Sequence, residues 1–215
     1  GGNLKLAFKV MVESAEPIVK AHVYVDAGSG EVLFKNNLIH HANATATGTS
    51  SYNGPVSFTA NNYSGSNHRL EKLGANGIHT YSLNNTTNTL NAVEVTSTSS
   101  VFANPVAVQA HYSTEKAMGY FLSDHSRNSY DDLGSTVTNY INYGVNINVS
   151  SWDGTNFYYS DGDGTFFGPP VSLDIVGHEF AHAVTHYATT LLGAGTIESG
   201  ALNESFSDIF GEAIE

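Results

Sequence analysis

His178-Glu179-Phe180-Ala181-His182 sets two imidazoles and a carboxylate at a spacing that a divalent metal can use. On a helix, residues four apart differ by about 40° in azimuth and about 6 Å in rise, so both rings can converge on one ion. Zinc accepts imidazole nitrogen at roughly 2.0–2.1 Å, and a catalytic zinc takes three protein ligands and leaves a position for water. Glu179, beside the first histidine, cannot easily share its direction and is better placed to act on a metal-bound water than to bind the ion. An HExxH string also arises by chance. Here Leu173, Ile175, Val176, Phe180, Ala183 and Val184 surround it with apolar residues. Polar side chains interrupting a helix of that composition are costly to bury unpaired, and a bound metal accounts for all of them.

The stretch from Glu198 to Phe210 begins a second helix, with Leu202, Phe206, Ile209 and Ala213 as its predicted apolar stripe. Glu204 and Asp208, four apart, lie on one side of it. An arbitrary acid pair of this kind is a solvated face. After an HExxH helix it suits a division of labour in which Glu204 is the third ligand and Asp208 accepts the remaining ring N–H of a zinc-bound histidine. Glu198 is a competing ligand, but it precedes the first helical turn and has no acid four residues on. A metzincin would need Gly and His where this chain has Thr185 and Ala188, which excludes that class. His186 continues the series after His182, yet it would sit about 12 Å along the axis from His178, too far to share one ion. It reads as a surface residue or a partner to a ligand.

Gly177 to Thr185, followed by Glu198 to Gly211, resembles the thermolysin-like neutral metallopeptidase family. The similarity extends back through Trp152-Asp153-Gly154, the Asp161-Gly162-Asp163-Gly164 turn and Ala110-His111-Tyr112, covering most of residues 45–215. The resemblance implies that His178, His182 and Glu204 hold zinc, that Glu179 is the general base, and that Asp208 and Asn203 orient the histidines. It also implies calcium at Asp174 and Glu215, which by themselves read as surface charges, and a substrate-binding role for Val149, Ser150, Trp152, Phe166 and Ile175. Two departures stand out. The segment Leu191 to Ile197 lacks the family's tyrosine, and Val149-Ser150 replace an Asn-Ala pair ahead of Ser151 and Trp152. The family's helical second domain would follow Glu215.

A length of 215 residues allows one large or two small domains, and no apolar run is long enough to span a membrane. The net charge of −12, with only 8 Lys and Arg, argues against nucleic-acid or anionic-membrane partners and is compatible with bound calcium. The absence of cysteine removes disulfides and thiolate zinc sites but does not fix the compartment; a secreted location follows from the resemblance. Leu4 to Val10, Ala21 to Val25 and Glu31 to Phe34 read as antiparallel strands around an Asp26 to Gly30 turn, and they also resemble the tail of the family's propeptide. The predicted division is therefore a propeptide tail over 1–43 and a catalytic domain over 44–215. The small, polar Ala42 to Gly48 is the expected processing linker, with cleavage between His41 and Thr47.

Residues 47–100 read as a twisted antiparallel sheet, and Asn104-Pro105 caps a helix running to about His125, in which His111 and His125 serve packing or surface roles. Strands return over 136–160, and Asp161 to Gly164 is a tight turn, since no bidentate Glu follows at calcium-loop spacing. The expected fold is α+β, a β-rich antiparallel or mixed twisted sheet followed by the zinc-site helices, with the helical second domain absent. The expected activity is hydrolysis of internal peptide bonds in peptides or proteins, in a zymogen whose other partner is its own propeptide. The rivals are a latent zinc-binding module and an aminopeptidase, the latter lacking here the Gly-rich motif usual upstream.

Overall fold

The computed structural model describes residues 4–15, 18–38, 41–189, 191 and 197–215. Strands β1 (Ala7–Ala15), β2 (Ile18–Asp26) and β3 (Val32–Asn37) form an antiparallel meander. Pairing of Phe8 with Val25 and Val10 with Val23 puts the alternating apolar residues on one face, as a period of two dictates. The β2–β3 turn is built by Asp26, whose carboxylate accepts the Gly28 and Ser29 N–H groups at 2.9 Å each. Those bonds, aided by Lys5, lower its pKa to about 2.

The chain then enters β4 (Ala42–Ser50), β5 (Gly54–Ser64), β6 (Asn67–Arg69), β7 (Glu71–Lys72), β8 (Ile78–Ser82), β9 (Val93–Glu94), β10 (Thr96–Ser97) and β11 (Val101–Phe102). A five-stranded sheet runs in the order β10-β6-β5-β4-β11, antiparallel except where β11 runs parallel to β4. The expected linker is thus a strand: Ala42 pairs with Asn62 and every residue to Ser50 has a β5 partner. Small, polar residues suit it because only one of its faces is buried, through Ala46, Gly48 and Ser50. Gly48 is obligatory there, since a Cβ would come within 2.7 Å of the Val108 side chain.

Helix α1 (Pro105–His125) follows, capped by Asn104, whose side chain accepts from the Val106 and Ala107 N–H groups. Then come β12 (Val137–Ile141), β13 (Ser150–Trp152), β14 (Phe157–Tyr159), and helices α2 (Leu173–Ala188) and α3 (Ile197–Ile214). The second large sheet runs β13-β14-β12-β8-β7, with β9 also on β8; β14, β12 and β8 are mutually parallel. Ala107, Ala110 and Ala117, all fully buried, let α1 lie against both larger sheets and α2. Phe121, Phe157 and Phe180 join α1, β14 and α2 in an aromatic core. The architecture is α+β with antiparallel and mixed sheets, as expected.

Helix α3 departs from its predicted facing. Leu202, Phe206 and Ile209 are 43%, 42% and 59% exposed, while Ser207 and Gly211 are its buried residues. The reason is the closeness of α2. A Cβ on Gly211 would stand 2.6 Å from the Asp174 carbonyl oxygen, and one on Gly177 would stand 3.1 Å from the Gly211 Cα. Backbones this near exclude large side chains, so α3 turns its small and polar face inward.

Candidate metal centre

Helix α2 delivers His178, Glu179 and His182, and the glycine crossing brings α3 near enough to supply Asn203, Glu204, Ser207 and Asp208. His178 Nδ1 lies 2.8 Å from Asp208 Oδ1, and because a carboxylate can only accept, the proton sits on Nδ1. His182 Nδ1 faces Asn203 Oδ1 at 3.1 Å and Ser207 Oγ at 3.0 Å. These partners turn both Nε2 lone pairs toward one point, where they stand 2.8 Å apart. Two acceptors cannot bond to each other, and a cation between them resolves the conflict.

Glu204 Oε2 closes the triangle at 3.4 Å from His178 Nε2 and 3.6 Å from His182 Nε2. Tetrahedral zinc with ligands at about 2.0–2.1 Å spaces its donors roughly 3.3 Å apart, so the observed edges fit after small adjustments. Among the described residues this is the one His, Cys, Asp and Glu group with metal-ligating geometry.

A cleft of about 650 Å³ opens over this triangle, bordered by the edge strand β13 through Ser150, Ser151 and Trp152. A second cavity of about 480 Å³ lies on the other side, lined by Asp174, Ile175, Asp208 and Glu212. Glu179 borders both and is only 6% exposed. Behind it the Tyr159 hydroxyl is fully buried without a hydrogen-bond partner among the described residues. Burial, and then the charge of Glu179, push that phenol well above its usual range, so it stays neutral.

The structure brings together His178, Glu179, His182, Asn203 and Glu204, with Asp208 behind His178, as the sequence suggested. Ser150 and Trp152 border the main cleft and Ile175 the second cavity. Val149 borders neither; its N–H and C=O are both engaged with Ser160. Phe166 borders neither and is 85% exposed, because Asp163 Oδ1 gathers the backbone N–H groups of Thr165, Phe166 and Phe167 into a tight turn away from the cleft. Asp174 has Glu212 for company, while Glu215 follows the end of α3 and does not border that cavity. Most of the segment expected to lack a tyrosine, 192–196, lies outside the described residues.

Sequence reasoning missed Ser207 and the cleft-bordering place of His186, whose ring stands edge-on to Trp152 at 5.0 Å. Ser207 was legible as the residue four after Asn203, on the same helix face.

An HExxH helix followed by a helix carrying a carboxylate ligand, on an α+β frame with an open edge strand, defines a class: a metalloprotein with its metal at the wall of a substrate-sized cleft. A family model described as the thermolysin metallopeptidase catalytic domain matches residues 45–186, and the chain belongs to that family. It is 38% identical over 218 residues to bacillolysin of Bacillus subtilis (strain 168), covering 98% of this chain and 41% of that protein. Thermolysin of Alicyclobacillus acidocaldarius subsp. acidocaldarius is 32% identical over 235 residues, covering 100% of this chain and 42% of the relative. Among solved structures, the precursor of protealysin, a metalloproteinase from Serratia proteamaculans, superposes with a TM-score of 0.56 at 30% identity, over 64% of this chain and 42% of that one. The chain thus spans about two fifths of the length of these relatives.

Proposed function

We propose that the chain carries the catalytic centre of a secreted, zinc-dependent endopeptidase that hydrolyses internal peptide bonds. The carrying observation is the convergence of His178 Nε2, His182 Nε2 and Glu204 Oε2 beside the buried carboxylate of Glu179. Zinc held by those three groups would lower the pKa of its water toward 7 and polarise the scissile carbonyl. Glu179 takes the water's proton and hands it to the leaving amine, a transfer that its position between the two cavities allows. Asp208 and Asn203 keep the ring protons on Nδ1, so both Nε2 atoms stay free to ligate. Among the described residues strand β13 is paired only with β14, and its open edge aligns the substrate backbone by main-chain hydrogen bonds.

The same reading assigns calcium to Asp174 and Glu215, with Glu212 beside Asp174. It treats residues 1–43 as a propeptide tail ahead of a catalytic unit over 44–215. The likeness to a protealysin precursor supports a zymogen, and secretion rests on the family likeness.

The test is Glu179→Gln. We expect it to retain zinc by elemental analysis while cleavage of an internally quenched, end-blocked peptide falls by about 10²–10⁴-fold. Comparable turnover in the variant would remove Glu179 from its role. A second reading is a latent zinc-binding module, for which the likeness to a protealysin precursor speaks. Zinc uptake with no cleavage of that peptide by the wild-type chain selects it.

A further inference from the structure

The outward face of the second large sheet carries a row of tyrosines that the zinc site does not use. Tyr140 on β12 is in direct register with Tyr81 on β8 and Tyr158 on β14. Its ring stacks on both, with centroids 5.8 Å from Tyr81 at an interplanar angle of 28°, and 5.3 Å from Tyr158 at 23°. Tyr143 closes the row edge-on against Tyr158 at 5.3 Å. All four are part-exposed, whereas of the Tyr130–Tyr187 pair, 5.5 Å apart, Tyr130 is only 7% exposed. Burial, and then the nearby carboxylate of Asp153, push the Tyr158 phenol up to about 12.

We propose that Tyr140 and Tyr158 are a site of oxidative cross-linking, coupling to an intramolecular dityrosine when the protein meets hydrogen peroxide and a haem peroxidase. Oxidising a phenol removes an electron readily only if its proton has somewhere to go, and Asp153, the carboxylate near enough to act on the Tyr158 phenol, is assigned that part. One oxidising equivalent takes an electron from Tyr158 as its proton passes to Asp153. A second does the same at Tyr140, whose proton goes to solvent. The two phenoxyl radicals form one carbon–carbon bond between ring positions ortho to the oxygens, and each ortho hydrogen then moves to its own oxygen, restoring both aromatic rings. Two phenols have lost two electrons and two protons, and one peroxide molecule has taken them up as two waters.

The parallel register is what makes the pair productive. Neighbouring strands hold the two Cα atoms opposite each other, and a shift of about 1 Å with ring rotation, open to half-exposed side chains, brings the ortho carbons together. The product ties β12 covalently to β14, the strand on which the cleft-bordering β13 rests.

The test treats the full 215-residue chain with hydrogen peroxide and a plant haem peroxidase, then reads dityrosine fluorescence, monomer mass and cross-linked peptides. We expect a monomer lighter by two hydrogens, a linked pair of peptides containing Tyr140 and Tyr158, and a raised thermal midpoint. Tyr140→Phe and Tyr158→Phe drop the fluorescence to background, Tyr24→Phe leaves it unchanged, and Asp153→Asn slows its appearance several-fold. Should Tyr140→Phe fail to fold, the peptides from the unmodified sequence identify the pair directly. No cross-link, linkage only between molecules, or a product joining Tyr130 to Tyr187 overturns the proposal, and an unchanged rate in Asp153→Asn overturns the route through that carboxylate.

Discussion

Single side chains in this molecule act mainly by fixing where protons sit. Asp208 holds the His178 proton on Nδ1 at 2.8 Å, so Asp208→Asn should weaken zinc binding by about 10–100-fold, measured by competition with a chromophoric chelator. His111 is the opposite case, a fully buried imidazole that donates from Nε2 to the Thr59 carbonyl at 2.8 Å and accepts at Nδ1 from the Thr80 hydroxyl at 2.9 Å. Burial lowers its pKa from 6.5 to about 4. The unfolded chain therefore binds the extra proton first, and the stability His111 contributes is complete above pH 6.5 and lost as pH falls toward about 4. Urea midpoints of metal-free protein should fall across that window, and less steeply in His111→Gln.

At the scale of elements, the crossing of α2 and α3 governs the site. Gly211→Ala gains up to about 1 kcal/mol of helix propensity, but its Cβ would meet a backbone oxygen that cannot rotate away, and overpacking of that kind costs about 1–3 kcal/mol. We expect lower thermal stability and a larger loss of zinc affinity, since Glu204 moves with the helix; calorimetry and metal titration would show both. This crossing also marks where sequence reading stopped. The HExxH spacing and the Glu204–Asp208 pair depend on helix geometry alone and were legible. The buried face of α3 was not, because two glycines from different helices set it and apolar periodicity pointed to the opposite side. The first part of β4, from Ala42, reads as a linker for a related reason: Ala, Thr and Gly suit a sheet pressed against a helix as well as they suit an exposed connection. Phe166 stands outside both cavities because of the Asp163 turn; the turn was legible at Asp161 to Gly164, but the direction it gives Phe166 was not.

For the molecule as a whole, a metal held by His178, His182 and Glu204 would tie α2 to α3, adding to the close packing their glycine crossing already provides. Any ligand bound by the folded state alone raises stability by mass action, by about 2.7 kcal/mol at a hundredfold excess over Kd. Chelation should therefore lower the thermal midpoint of the wild-type chain and leave that of His182→Ala nearly unmoved, a comparison that scanning calorimetry makes directly. The way the first sheet joins the second has its own outcome. Since β4 is hydrogen-bonded to β5 from Ala42 onward, a nick at His41 would release the leading meander and spare every rung of that ladder. One placed after Ala46 would strip the rungs from Ala42 to Ala46 along with it. Trimming at this junction is gentlest at the first of these bonds, and the penalty grows with each residue the scissors travel inward.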